Sequence, residues 1–149
     1  YEDTFDIIFT SPPYFNVERY SHDDTQSWIR YKDIDGWNTR FLQKALDNML
    51  PTLRSGGKLC INISDVYANS KWSSDRCWLK ICDPMNEFLD EYRDMEYIGC
   101  IGMEMAKRPN SGGAGTAKDT TQYSEESLKL AEETKDKRFC EPIWIWEKK

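Results

Sequence analysis

Residues 5–10, Phe-Asp-Ile-Ile-Phe-Thr, form a short β-branched and aromatic run that halts at Pro12-Pro13. A run of that length without helical spacing predicts a strand buried in a parallel sheet. From Phe15 to Asp33 the chain is polar and dotted with Tyr20, Trp28 and Tyr31 in no clear period, which reads as a long loop. Trp37, Phe41, Leu42, Ala45, Leu46, Met49, Leu50 and Leu53 then recur at helical spacing, with Asp33 or Asp35 as N-cap. Pro51 is expected to loosen the last turn of this helix and Gly56-Gly57 to stop it. A second strand, Lys58–Ile63, follows and closes on Ser64-Asp65.

Residues 66–80 are irregular, with Trp72, Trp78 and Leu79 as apolar anchors. Asp83-Pro84 supplies an N-cap and a first-turn proline, and Met85, Phe88, Leu89, Tyr92 and Met95 continue one apolar face, so a second helix is expected over 84–95. Tyr97–Met105 reads as a third strand and Pro142–Glu147 as a fourth. The long connection between them, 107–141, opens with Pro109-Asn110-Ser111-Gly112-Gly113-Ala114-Gly115 and is expected to be a flexible loop with one short polar helix near Ser124–Lys135. The order predicts an α/β fold with a mainly parallel sheet and an antiparallel last strand, in a single domain over 1–149. Sites in such sheets form at the carboxyl ends of the parallel strands, where Ser11 and Asp65 fall.

Charge and composition narrow the chemistry. A net charge of −6 argues against a general phosphate clamp, because duplex affinity comes mainly from Lys and Arg. Basic contacts to nucleic acid are then local or come from elsewhere, and the clearest basic clusters, Lys107-Arg108, Lys118 and Lys135–Arg138, lie in the long connection. Five cysteines without a CxxC pair predict free thiols in a reducing, intracellular compartment. One histidine, His22, beside Asp23-Asp24 matches no ligand spacing, so no metal is expected. No apolar run reaches the ~18 residues of a membrane-spanning helix. The start at Tyr1 rather than Met, just before a buried-looking strand, suggests an excised or processed piece.

Thr10-Ser11-Pro12-Pro13-Tyr14-Phe15 carries the most specific chemistry. A [Ser/Asp/Asn]-Pro-Pro-[Tyr/Phe/Trp] tetrapeptide arises by chance in roughly one chain of this length in 200. The exocyclic amino group of a base is a poor nucleophile because its lone pair is conjugated with the ring. Two acceptors on its two hydrogens hold it in a geometry that frees the pair. The Ser11 hydroxyl and the Pro12 carbonyl can be those acceptors, aimed by the fixed proline backbone. Tyr14 can stack on a base taken out of the duplex.

The stretch Asp6–Phe15 resembles motif IV of the amino-methyltransferases that use S-adenosylmethionine. Leu53-Arg54-Ser55-Gly56-Gly57-Lys58 leading into Cys60–Ile63, and Glu141–Lys148 as last strand, are similar to later segments of that family. The resemblance implies part of a Rossmann-like, doubly wound sheet. It also implies roles in DNA methylation: Ser11 and Pro12 on the target amino group, Pro13 shaping the turn, Tyr14 on the base. Serine at the first motif position is typical of family enzymes acting on cytosine N4, and aspartate or asparagine of those acting on adenine N6. Cytosine is therefore the expected target and adenine the alternative, with RNA less favoured than DNA.

The family's glycine-rich FxGxG loop is missing from this chain. The chain is thus expected to be a catalytic half, inactive alone, whose cofactor half comes from the same polypeptide or a second subunit. A non-catalytic nucleic-acid-binding or structural subunit is the competing reading. Phe15, Trp28, Arg30, Tyr31, Lys107 and Arg108 are candidate substrate contacts. Asp65 is a candidate cofactor contact, or a solvated or capping acid where a strand meets a loop.

Overall fold

In the computed structural model, which describes residues 2–68, 77–104 and 140–149, the first hydrophobic run folds as strand β1 (Phe5–Thr10). A long loop holding the short helix α1 (Ser27–Arg30) leads to a continuous helical rod. The rod comprises α2 (Ile34–Trp37), a wide π-turn (Asn38–Leu42), α3 (Gln43–Met49) and a tight 3-10 turn (Leu50–Thr52). Asp33 caps it by accepting the Gly36 N–H at 2.7 Å, one of the donors that a helix start leaves unpaired.

The rod ends at Thr52, ahead of the expected glycine stop, and passes directly into β2 (Leu53–Asn62). Gly56 and Gly57 serve this strand instead. The β1–β2 register jumps from Phe5↔Leu53 to Ile7↔Lys58, so β2 bulges. Gly56 supplies a left-handed φ of 77°, and a Cβ on Gly57 would lie 2.7 Å from Leu53 Cδ1.

Part of the stretch read as irregular pairs as a separate antiparallel ribbon, β3 (Val66–Ala68) with β4 (Cys77–Leu79). Trp72 lies outside the described residues. Helix α4 (Cys82–Asp90) starts earlier than expected and ends sooner, and Met95 opens β5 (Met95–Glu104) rather than closing the helix. The last strand is β6 (Cys140–Lys148).

The main sheet has the order β1-β2-β6-β5, with β1 parallel to β2, and β6 antiparallel to both β2 and β5. Three strands therefore share one direction and the last opposes them, the α/β arrangement that the pattern predicted. Leu42, Leu46 and Leu50 of the rod and Met85 and Leu89 of α4 are buried with Leu59, Ile61, Trp144 and Trp146 in one core. Ile8 of β1 packs against that core, whereas Phe5, Ile7 and Phe9, at alternate positions, are 46%, 63% and 60% exposed. Among the described residues β1 is also an unpaired edge of the sheet.

Tyr92, just after α4, donates its hydroxyl to the Asp47 carboxylate of α3. This bond raises the Tyr92 phenol to about 12 and lowers Asp47. A phenol whose folded-state pKa is raised stabilises the fold fully below its ordinary value of 10.0, and the contribution fades as pH climbs toward 12. The stability advantage of wild type over Tyr92→Phe, read from urea midpoints, is expected to be largest below about pH 9 and to shrink steadily toward pH 12.

Candidate active site

β1, β2 and β5 end on one edge of the sheet, and β6 begins there because it runs against them. Ser11-Pro12-Pro13-Tyr14 follows β1 onto this edge. Ser11 is exposed, Pro12 buried, and Pro13 and Tyr14 half-buried. The Pro13 carbonyl accepts the Phe15 N–H at 3.0 Å, and the Tyr14 carbonyl accepts the Val17 N–H at 3.0 Å, so two tight turns succeed one another. Phe15 takes a left-handed φ of 47°, which bulky residues rarely adopt. Its ring is buried and meets Trp37 edge-on at 6.0 Å, so core packing offsets the strain and anchors the loop. Phe15, a candidate substrate contact, thus points its ring into the core.

This folding sorts the acceptors. Pro13's carbonyl is engaged, whereas among the described residues neither the Pro12 carbonyl nor the Ser11 hydroxyl has a hydrogen-bond partner. Two consecutive residues therefore offer unused acceptors at the carboxyl edge. Tyr14 beside them is held at both ends: its N–H donates to Glu18 Oε2 at 3.2 Å, and its phenol donates to Glu141 Oε2 at 3.0 Å. Burial, and next the Glu141 carboxylate, push the phenol far above its usual range, so it remains a neutral donor. Sequence reading missed Glu18 and Glu141. Glu141 stands 127 residues from Tyr14, and only the direction of β6 brings it there.

The other described candidates lie in α1 and directly after it. Trp28 is half-buried with the Arg19 guanidinium 4.9 Å above its ring, Tyr31 packs on the core, and Arg30 is exposed. The Trp28 Nε1 is buried without a partner among the described residues. Lys107, Arg108, the other basic clusters of the long connection and Gly112–Gly115 lie outside the described residues. Asp23 accepts from the Thr25 N–H and hydroxyl at 2.9 and 2.8 Å, which lowers its pKa. Among the described residues no three His, Cys, Asp or Glu side chains group as metal ligands, and no helix is long and apolar enough to cross a membrane. Among the described residues Cys60, Cys82 and Cys100 form no disulfide with one another.

Asp65 follows β2 on the same edge, with its side chain only 1% exposed. One carboxylate oxygen accepts the N–H groups of Ile81 and Cys82 at 2.8 and 3.0 Å, and the other pairs with the Lys80 ammonium at 3.1 Å. Asp65 thereby caps α4 from a distance, since Ile81 at the cap position has no side-chain oxygen and Asp83 falls within the first turn. Both of its oxygens are engaged inside the chain, the capping alternative of the sequence reading.

Glycines at the carboxyl edge would be needed for a backbone to approach S-adenosylmethionine closely. Among the described residues Gly36 lies in the rod, Gly56 and Gly57 in the bulge at the opposite end of β2, and Gly99 and Gly102 within β5. None of these opens a loop at this edge.

A family model of N6/N4 methyltransferases, described as DNA methylase, matches residues 5–149. The chain belongs to the DNA methylase family. Among solved structures this DNA methylase chain resembles TTHA0409 of Thermus thermophilus, assigned as a DNA modification methylase. Against the form complexed with S-adenosyl-L-methionine the TM-score is 0.59 at 17% identity, covering 99% of this chain and 46% of that one. Against the selenomethionine form the values are 0.57 and 16%, with 99% and 46% covered. At that identity the likeness is one of fold, and the chain spans a little under half the length of its structural neighbour. No curated protein matches the sequence significantly.

Asp65→Ala removes the partner of two buried N–H groups and is expected to cost about 2–4 kcal/mol of stability, measured by urea unfolding. Asp65→Asn keeps one acceptor oxygen and is expected to cost less than half as much.

Proposed function

We propose that this chain is the catalytic half of a DNA amino-methyltransferase whose target is N4 of a cytosine flipped from the duplex. The observation that carries the proposal is the pair of unused acceptors, Ser11 Oγ and the Pro12 carbonyl, next to the half-buried Tyr14 ring. Each acceptor takes one hydrogen of the exocyclic amino group, which aims the nitrogen lone pair outward. Tyr14 stacks on the base and holds its plane. Pro13 keeps both acceptors in register, and its own carbonyl is tied back to Phe15. Serine at position 11 favours cytosine through the family resemblance, with adenine N6 as the alternative.

S-adenosylmethionine supplies the electrophilic methyl group, and other residues, in the same polypeptide or in a second subunit, supply its cradle. The edge of β1, unpaired among the described residues, and the exposed Phe5, Ile7 and Phe9 support that division, because an apolar edge strand is ordinarily covered or continued by further structure. Residues 1–149 then act as one subdomain, with the 107–141 connection and its Lys107-Arg108 cluster meeting DNA phosphates inside the cell.

Incubation of the complete enzyme with DNA and methyl-labelled cofactor, followed by digestion to nucleosides, is expected to yield N4-methylcytosine. Label on adenine N6 moves the target to the alternative. Ser11→Ala is expected to lower kcat by about a hundredfold or more. Unchanged methylation in that variant would favour a binding or structural subunit instead. Isothermal titration of residues 1–149 alone is expected to show no micromolar binding of S-adenosylmethionine, and tight binding would overturn the two-part site.

A further inference from the structure

Tyr14 is fixed more completely than a stacking residue in an irregular loop needs to be for folding alone. Its carbonyl accepts from Val17, its N–H donates to Glu18 at 3.2 Å, and its phenol donates to Glu141 at 3.0 Å. The first two contacts are local and set the backbone. The third arrives from β6, a rigid strand paired on both sides, with β2 and with β5. It governs the side chain, whose two torsions would otherwise let the ring swing while the backbone stayed still.

The choice of residue also calls for a role. A half-buried carboxylate on the edge that faces a polyanion, in a chain of net charge −6, opposes DNA approach. A carboxylate is nonetheless the acceptor that holds a phenol most firmly, since charge-assisted hydrogen bonds are shorter and about twice as strong as neutral ones. The bond carries information between two parts of the fold, because it ties the plane of the Tyr14 ring to the sheet rather than to its own loop.

We propose that Glu141 is a positioning residue for methyl transfer: through the Tyr14 phenol it sets the plane on which the flipped base stacks, and hence the aim of the target amino group. This deepens the reading of Ser11-Pro12-Pro13-Tyr14 as a methylation site and rests on it. Glu141 touches Tyr14 and takes no proton in the reaction. Its effect therefore falls on the productive orientation of a bound base, not on the capture of DNA.

The test is steady-state kinetics of the complete enzyme that carries this chain, with Tyr14→Phe, Glu141→Ala, Glu141→Gln and the Tyr14→Phe/Glu141→Ala double variant. Tyr14→Phe and Glu141→Ala are each expected to lower kcat roughly ten- to a hundredfold with little change in KM for DNA, as a misplacement of reacting groups does. The double variant is expected to be no slower than the slower single one, because both remove the same bond. Glu141→Gln, which keeps an uncharged acceptor, is expected to recover most of the loss. With 2-aminopurine at the target position, the fluorescence gain on binding is expected to persist in the variants while its anisotropy falls.

Tyr14→Phe deletes the bond without altering β6, so the proposal is tested even if Glu141→Ala does not fold. An active wild type whose Glu141→Ala and Tyr14→Phe losses multiply, or whose Tyr14→Phe variant keeps full kcat, overturns the positioning role and leaves the methylation reading intact. A complete enzyme that transfers no methyl group overturns both.

Discussion

The register between β2 and β6 is the constraint on which the carboxyl edge depends. Asn62 pairs with Ile143 and Ile61 with Trp144, and the crossing is pinned where it matters. The Asn62 amide donates to the Pro142 carbonyl at 3.1 Å, and the Trp144 indole donates to the Ile63 carbonyl at 3.0 Å, both inside the core. A slip of one residue would exchange the faces of the sheet on which Trp144, Trp146 and Glu141 lie. Since β6 runs against its neighbours, its first residues arrive where β1 ends, and this direction lets one strand complete the surroundings of another's loop.

Among the described residues the same sheet is covered on one side only. Leu59, Ile61, Trp144 and Trp146 meet the rod and α4, whereas Phe9, Cys60 and Ile145 lie in register on the face that the described helices leave uncovered. Phe5, Ile7 and Phe9 together expose more apolar surface at the sheet's edge than scattered surface residues do. An unpaired strand edge adds unsatisfied main-chain groups to that surface. These features are costly in water and useful in an interface, consistent with a unit that spans a little under half of its structural neighbour.

Local chemistry was legible in the sequence and long-range chemistry was not. β1, the Asp33 cap, the strand order in sequence and the Pro-Pro loop could be read because each depends on neighbours a few residues apart. The helix end was misplaced because Gly56-Gly57 has two physical uses, stopping a helix and permitting a bulge, and only the β1 partner register chooses between them. Asp83-Pro84 looked like a helix start by the same local logic. The actual cap, Asp65, comes from 17 residues before Cys82, and although the sequence offered it as a capping acid, nothing local tied it to this helix. At the site, Ser11, Pro12, Pro13 and Tyr14 announce themselves as a tetrapeptide. Glu18 and Glu141 do not, since a glutamate's meaning here lies in what the topology sets beside it.

The left-handed backbone at Phe15 has a kinetic consequence. Strain of that kind, of order 1–3 kcal/mol, persists only where packing holds it, and here the buried ring against Trp37 does so. On the proposed reading, a loop held in one shape by its own packing has little to rearrange when a base arrives. The slow event then belongs to the nucleic acid, in the opening of the pair and the loss of stacking. On the proposed reading, a target base in a mismatch or beside a nick would enter such a pocket faster than one in intact duplex, so part of the selectivity would be written in the mechanics of DNA.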